Sequence, residues 1–227
     1  MAGFKLNRPN GTVAIDANYF NLALRQKGSL VLSNVPNAST PAFKNGGVTV
    51  AGDQAIIAFR ADRPCALFEA RRSGGTYSYV FAGQNANGNI NVDWWLFDLP
   101  QYALQFATSG KMIVRRPGDG AVVFDSRNKY MKLLDYVQYA SQVYARNSYA
   151  KTPAIVMNNR AWSQTATAIN SGNNTLVQMT SSMAYTEGND TLFGGEITSL
   201  SIQDSQAPKF SYSGGKADFL VIDVQDY

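Results

Sequence analysis

The chain contains no histidine, and its only cysteine is Cys65. Without histidine it cannot carry a Ser-His-Asp or Cys-His catalytic group, nor a zinc ion bound through histidine. A single cysteine excludes an intramolecular disulfide, a zinc site made of thiolates and an iron–sulfur cluster. Because Cys65 lies in the apolar run 64–68, we expect a small core residue rather than a reactive thiol.

Long apolar runs and strong charge are also missing. No apolar run is long enough to span a bilayer, and the first residues, Met-Ala-Gly-Phe-Lys, lack the apolar core of a secretion signal. We therefore expect a protein without a membrane span that is made and folded in a cytoplasm. The net charge of +4 is modest for 227 residues and does not indicate a nucleic-acid partner.

Aromatic residues, in contrast, are abundant, with 12 Tyr, 12 Phe and 3 Trp. Aromatic and β-branched residues fit a pleated, half-buried surface, so this composition favours strands. Many short β-type segments separated by Gly, Pro and Asn predict a sandwich-like all-β architecture. The predicted strands are 4–8, 12–16, 29–33, 48–51, 54–60, 66–71, 76–82, 92–99, 111–116, 121–125, 130–137, 153–157, 162–168, 175–181, 197–202, 209–212 and 218–224.

Two stretches of the chain have a pattern that does not simply predict a strand. Residues 130–146 have an apolar spacing that partly suits a helix, but we favour a strand at 130–137 and keep a short helix as the alternative. The polar stretch between the strands 29–33 and 48–51 contains two prolines and Gly46-Gly47, which predicts a loop.

One motif occurs twice, about half a chain apart. Residues 4–16 read FKLNRPNGTVAID, and residues 112–125 read MIVRRPGDGAVVFD. Tyr19-Phe20-x-Leu22 follows the first copy, and Tyr130-Met131-x-Leu133 follows the second. Arg8 and Arg116, which belong to the shared Arg-Pro pair, are interpreted as residues that flank a turn.

Further blocks match in the same order, 55–57 with 154–156 and 93–99 with 218–224. A repeated supersecondary unit determines how many domains are predicted, so this prediction rests on the repeat rather than on the composition. We therefore predict two tandem, related β-sandwich-like domains that arose by internal duplication. Their ranges are 1–109 and 110–227.

No group of residues indicates catalysis. Ser126-Arg-Asn-Lys129 has the Ser-x-x-Lys spacing of penicillin-binding enzymes, but its Ser lies at a strand end rather than at the start of a helix. Asp93 and Asp98 should point to opposite faces of one strand, so they cannot converge by themselves. Asp16 and Asp125 are expected to cap the turns after their strands. We expect no enzyme activity, no catalytic residue, no cofactor and no metal site.

The segment 71–81 has two arginines before alternating aromatic residues, loosely like an RNA-binding strand. Its spacing does not fit that signature, and a solvated turn that leads into a core strand explains it better. The sequence therefore gives no reason to expect nucleic-acid binding.

A group of motifs lies between residues 95 and 137: Trp95-Leu-Phe-Asp-Leu-Pro100, Gly110, Ala121-Val-Val-Phe-Asp-Ser126 and Lys129-Tyr-Met-Lys-Leu-Leu-Asp135. Together they resemble small minor tail or tail-tip virion proteins of tailed, siphovirus-like bacteriophages. Those proteins typically have a short β hairpin that ends in Val-Phe-Asp-Ser, followed by Tyr and an apolar strand. The resemblance implies no catalysis, assembly on the virion and contact with neighbouring tail proteins.

From these observations we expect a non-enzymatic structural component of a tailed-phage virion, in the tail or tail tip, that acts through subunit association. Its partners would be neighbouring virion proteins and further copies of the chain. A trimer or hexamer would suit the repeat, because three copies of a two-domain chain could present six similar surfaces.

The alternative function is a phage-tail module that binds a receptor protein or glycan on the host surface. Trp94, Trp95, Trp162 or Tyr79 would then form an exposed stacking platform. The competing interpretation is that these rings fill the core. A polysaccharide-degrading tail enzyme is a third and weaker hypothesis.

Overall fold

A computed structural model describes residues 5–7, 13–16, 21–34, 43–104, 106, 112–139, 143–169, 174–203 and 211–227. Over these residues the chain forms strands and one short 3₁₀ turn, Pro100–Tyr102, and no α-helix, which confirms the all-β class. The strands are β1 (Lys5–Asn7), β2 (Val13–Asp16), β3 (Ala23–Asn34), β4 (Phe43–Ala51), β5 (Ile56–Ala61), β6 (Cys65–Ser73), β7 (Thr76–Gln84), β8 (Ile90–Asp98), β9 (Ile113–Arg115), β10 (Val122–Asp125), β11 (Lys132–Tyr139), β12 (Ala145–Ser148), β13 (Pro153–Asn159), β14 (Trp162–Ile169), β15 (Asn174–Glu187), β16 (Asp190–Gln203), β17 (Ser211–Gly214) and β18 (Ala217–Asp223).

Fourteen of these strands form one continuous antiparallel sheet. Its main path runs β11-β18-β13-β5-β8-β3-β4-β7-β6-β15-β14-β17, and β16 with β12 branches from β15. The other four strands form two separate hairpins, β1–β2 and β9–β10. The described strands of these two pairs come from the two copies of the Arg-Pro motif, so each copy contributes an antiparallel strand pair.

The first six strands of the path, β11-β18-β13-β5-β8-β3, form a curled layer that we call the six-stranded layer. Its two ends meet where Ala23 bridges Tyr130. The backbone N–H of Leu24 donates to the carbonyl of Lys129 at 2.7 Å, and that of Met131 donates to the carbonyl of Leu22 at 2.9 Å. The remaining strands of the sheet form the outer layer.

The main core lies between these two layers. Phe59 on β5 meets Phe81 on β7 edge to face, with ring centroids 5.4 Å apart. Phe219 on β18 meets Phe193 on β16, with centroids 4.8 Å apart. A second apolar cluster fills the inside of the curled layer, because successive side chains of a strand point to opposite faces. It contains Leu24, Ala58, Trp95, Phe97, Ala154, Val156, Ile222 and Val224.

Strands from the two predicted domains share this core. Ile155 of β13 lies opposite Phe59 of β5, and Ala184 of β15 lies opposite Cys65 of β6. The largest core cluster contains buried residues from both 1–109 and 110–227. The boundary at 109/110 therefore does not separate two hydrophobic cores among the described residues, and two tandem sandwiches are not confirmed.

The six-stranded layer nevertheless has an internal correspondence. β8 lies between β3 and β5, just as β18 lies between β11 and β13. Asp98 at the end of β8 is opposite Ala23, and Asp223 at the end of β18 is opposite Lys132. In both strand pairs the register then shifts one residue further on, between Leu24 and Gln26 of β3 and between Leu133 and Asp135 of β11. A duplicated three-stranded unit would produce this pattern, and the duplication itself stays a prediction.

The registers correct the residue matching that the sequence suggested. Leu24 follows the pair Ala23–Asp98 directly, as Leu133 follows the pair Lys132–Asp223. Leu133 therefore corresponds to Leu24 rather than to Leu22. The apolar spacing alone could not show this shift, because Leu22 and Leu24 lie on the same face of the chain.

Both stretches without a simple strand pattern, 130–146 and the region around Gly46-Gly47, contain strands where the structure describes them. Residues 132–139 and 145–148 form β11 and β12, so the strand that we favoured over a helix is confirmed. The loop predicted around Gly46-Gly47 was wrong, because both glycines lie inside β4. A Cβ on Gly47 would lie 2.8 Å from the carbonyl oxygen of Tyr79, so a residue without a side chain lets the strands approach.

Gly83 on β7 is a sharper case of the same constraint. A Cβ built there would lie 2.5 Å from Cδ1 of Ile90 and closer still to the carbonyl oxygen of Pro64. We expect Gly83→Ala to lower the free energy of unfolding by about 1–3 kcal/mol, because backbone must move to accept the methyl group. Urea denaturation would measure this loss. Gly75→Ala is the control, since its Cβ would meet only the carbonyl oxygen of Gly52 at 4.0 Å; an equal loss in both variants would contradict the steric explanation.

Candidate functional site

Strand β11 forms one end of the sheet path. Among the described residues it pairs with β18 along its whole length and with no second strand. Backbone hydrogen bonds to β3 and the residue before it occur just before β11 begins, at Lys129 and Met131, and within β11 the N–H of Tyr136 donates to Asp135 Oδ1 at 2.8 Å. An edge strand of this kind presents free backbone N–H and C=O groups to solvent. It is therefore able to accept a strand from another molecule.

The side chains of β11 add apolar surface to this edge. Leu133 is 58% exposed and Tyr136 is 53% exposed. Leu134 and Val137 face inward and pack against the main core, so the strand itself is held in place. The Tyr136 hydroxyl donates to Asp218 Oδ1 on β18 at 2.9 Å, and this bond raises the pKa of Tyr136.

More apolar residues are exposed next to the start of β11. The segment after β8 runs alongside the curled layer, where the N–H of Leu104 donates to Leu24 at 2.8 Å and that of Phe106 donates to Arg127 at 3.0 Å. Lys129 places its ammonium 4.4 Å from the centre of the Phe106 ring. We name the exposed side chains of this region the 102–136 surface: Tyr102, Leu104, Phe106, Met112, Leu133 and Tyr136.

The hairpin β9–β10 borders this surface, and its turn residues have structural roles. Asp125 is buried, accepts the backbone N–H of Arg127 at 3.0 Å and forms an ion pair with the Arg127 guanidinium. Asp125 thus caps the turn after its strand, as the sequence predicted, whereas the Asp16 side chain lies outside the described residues. Ser126 Oγ accepts the N–H of Met112 at 2.9 Å, so it holds the hairpin closed.

Arg116 lies in the turn of this hairpin. Its guanidinium is paired with the Asp119 carboxylate, and this hydrogen bond lowers the pKa of Asp119 to about 2. The prediction that Arg116 flanks a turn is therefore confirmed. Arg8, its counterpart in the first copy, lies outside the described residues.

The aromatic residues considered for a glycan platform separate into two groups. Trp94, Trp95 and Tyr79 are buried, so they fill the core as the competing interpretation holds. Trp162 on β14 is 37% exposed and lies between Ser181 and Gly214 of the neighbouring strands. Cys65 is fully buried, and burial raises the pKa of its thiol well above the usual value, so it is a core residue.

The carboxylates on β8 do lie on opposite faces. Asp93 is exposed and accepts a hydrogen bond from Ser29 Oγ, while Asp98 is fully buried. Over the described residues, no group of three or more Cys, Asp or Glu side chains could hold a metal ion. No helix among those residues is long and apolar enough to cross a membrane.

Sequence reasoning did not identify the 102–136 surface. Its residues are ordinary apolar residues, and only the position of β11 at the end of the sheet makes two of them exposed. Comparison of the chain with protein-family models, curated proteins and solved structures finds no match. A function for this chain therefore has to rest on its own residues and surfaces.

Proposed function

We propose that this protein is a non-enzymatic structural component of a tailed-phage virion, in the tail or tail tip. It acts by subunit association, and strand β11 of one copy, with its exposed Leu133 and Tyr136, is covered by a neighbouring copy of the same chain. The observation that carries the proposal is the edge strand β11 with its exposed Leu133 and Tyr136. Neighbouring virion proteins are the further partners.

The location of this surface supports the proposal. Of the ten large apolar side chains that are exposed among the described residues, six belong to the 102–136 surface. The same part of the chain, 95–137, carries the resemblance to tail proteins of siphovirus-like phages. Large apolar patches on a folded protein mark interaction surfaces more often than isolated exposed residues do.

The physical basis of association is the pairing of free strand edges. A second strand laid along β11 would satisfy its free backbone groups and remove Leu133 and Tyr136 from water. Because each side chain is only about half exposed, covering the rest of it contributes roughly 1–1.5 kcal/mol each. If the internal correspondence of the six-stranded layer reflects duplication, three copies would present six similar units, and a ring of three or six subunits is the expected assembly.

Sedimentation velocity of the purified chain over a range of concentrations tests this association. We expect the wild-type chain to form trimers or hexamers and the double variant Leu133→Lys/Tyr136→Lys to stay monomeric, because lysine on an edge strand opposes strand pairing. Val31→Lys is the matched control, since Val31 is 54% exposed but lies on β3, which has a neighbouring strand on each side, β8 and β4. A wild-type monomer at every concentration, or equal dissociation by the control, would overturn the proposed association.

A further inference from the structure

An open cleft of about 370 Å³ lies between β3, the loop after β4 and the β6–β7 turn, and Tyr102 of the 102–136 surface forms part of its lining. It is lined by three charged residues, one exposed ring and the backbone of three glycines: Arg25, Asp53, Arg72, Tyr102, Gly52, Gly74 and Gly75. Gly74 and Gly75 are exposed, whereas Gly52 is buried against Ala55 and Tyr77. Pockets of this volume are in the range that holds small ligands.

The cleft is organised by the buried carboxylate of Asp98. Asp98 Oδ2 accepts the N–H of Asp53 at 2.9 Å, and Oδ1 accepts the N–H groups of Gln54 at 2.9 Å and Leu99 at 2.8 Å. Nη1 of Arg25 donates to Oδ2 at 2.8 Å. The loop after β4 and the Arg25 side chain are therefore fixed by one anchor.

The Arg25 guanidinium keeps donors for a ligand. Among the described residues, Nη1 is the one guanidinium nitrogen that donates a hydrogen bond, to Asp98, and a guanidinium has five N–H groups. Its central carbon lies 4.8 Å from the Tyr102 ring centre, which is within the range of a cation–π contact. Arg25 and Tyr102 thus form one wall of the cleft, with the ring 42% exposed.

Arg72 also lines the cleft. Its guanidinium lies 5.5 Å from the Tyr77 ring centre and 3.4 Å from Asp53 Oδ1, a long contact between two partly exposed groups. The Tyr77 hydroxyl donates to the Asp53 carbonyl at 2.8 Å, so this part of the lining is tied to the same loop. Two guanidinium groups and one carboxylate therefore face the cleft.

We propose that this cleft binds an acidic oligosaccharide, a sugar that carries a carboxylate together with hydroxyl groups. The planar fork of an arginine matches a carboxylate with two parallel hydrogen bonds. Asp53 accepts hydrogen bonds from sugar hydroxyls, and the exposed Tyr102 ring offers a flat apolar face. A ligand with dense negative charge would be repelled by Asp53, so a plain anion fits less well than an acidic sugar. This site goes beyond subunit association.

Titration of the full chain with defined sugars, followed by ligand-detected NMR, tests this site. The probes are trigalacturonic acid and sialyllactose as acidic sugars, maltotriose as a neutral sugar and sodium sulfate as a plain anion. We expect an acidic sugar to bind more tightly than maltotriose and sulfate. Arg72→Ala should weaken that binding roughly ten- to hundredfold, the effect of losing a hydrogen bond to a charged group.

Arg71→Ala is the matched control. Arg71 is the next residue of the same strand, so its side chain points to the other face, where it pairs with Glu69. It should leave binding nearly unchanged, and Tyr102→Ala should weaken it. Absence of binding by both acidic sugars, equal competition by sulfate, or equal loss in Arg71→Ala and Arg72→Ala would overturn the proposal.

Discussion

Replacing Asp98 with alanine is expected to lower the free energy of unfolding by about 3–5 kcal/mol, the cost of breaking a buried charged pair. The variant would leave three backbone N–H groups and the Arg25 guanidinium without their shared acceptor. Asp93→Asn is the control on the same strand, because Asp93 is exposed, and it should change stability by no more than about 0.5 kcal/mol. Urea denaturation measures the free energy of unfolding of both variants. Equally small losses in the two would contradict the anchoring role of Asp98.

The same residue gives a pH dependence with a defined sign. Burial alone would raise the pKa of Asp98, but the N–H groups of Asp53, Gln54 and Leu99 and the Arg25 guanidinium together lower the pKa below its ordinary value of 3.8. A lowered pKa stabilises the fold above the ordinary value, and this contribution is lost as the pH falls through the lower pKa of the folded protein. The stability difference between wild type and Asp98→Asn should therefore shrink in acid; a difference that is constant with pH would contradict this account.

Replacing Phe219 with alanine is expected to cost about 3–5 kcal/mol, because the ring is fully buried between the two layers. Its partner Phe193 and the ring pair of Phe59 and Phe81 belong to the same core cluster. The loss should therefore lower the melting temperature of the whole chain in one cooperative transition. Differential scanning calorimetry measures this, with Val31→Ala as the control, because Val31 is exposed and lies outside the proposed interface.

Two separate transitions, of which Phe219→Ala moves only one, would contradict the shared core. That outcome would instead restore the two domains at 1–109 and 110–227 that the sequence predicts. A single transition would still be compatible with an internal duplication, because the two copies of an ancient repeat can pack around one common core.

The all-β class could be predicted from the sequence because alternation is a local property. The alternating Tyr77, Tyr79 and Phe81 on β7 illustrate this, since Tyr79 and Phe81 are buried and Tyr77 is half-buried. Which strands become neighbours depends on contacts that are distant in sequence. The pairing of β13 with β5 and of β15 with β6 joins the two halves, and no local pattern indicates either.

Predicting the candidate sites would likewise have required knowledge of contacts between residues that are distant in sequence. Leu133 and Tyr136 look like core residues in the sequence, and only the terminal position of β11 exposes them. Arg72 was interpreted as part of a solvated turn; its side chain is exposed, but it lies in β6, and the turn itself is Gly74-Gly75. Its proximity to Arg25 and Tyr102 follows from the way three distant segments meet around Asp98, which no spacing in the sequence could show.

The most direct test of the assembly role is cryo-electron microscopy of purified particles of a phage that encodes this chain. The account predicts copies of the chain in the tail or tail tip, in a ring of three or six, with Leu133 and Tyr136 of β11 covered by a neighbouring copy. Particles that lack the chain, or that carry it with β11 open to solvent, would contradict it.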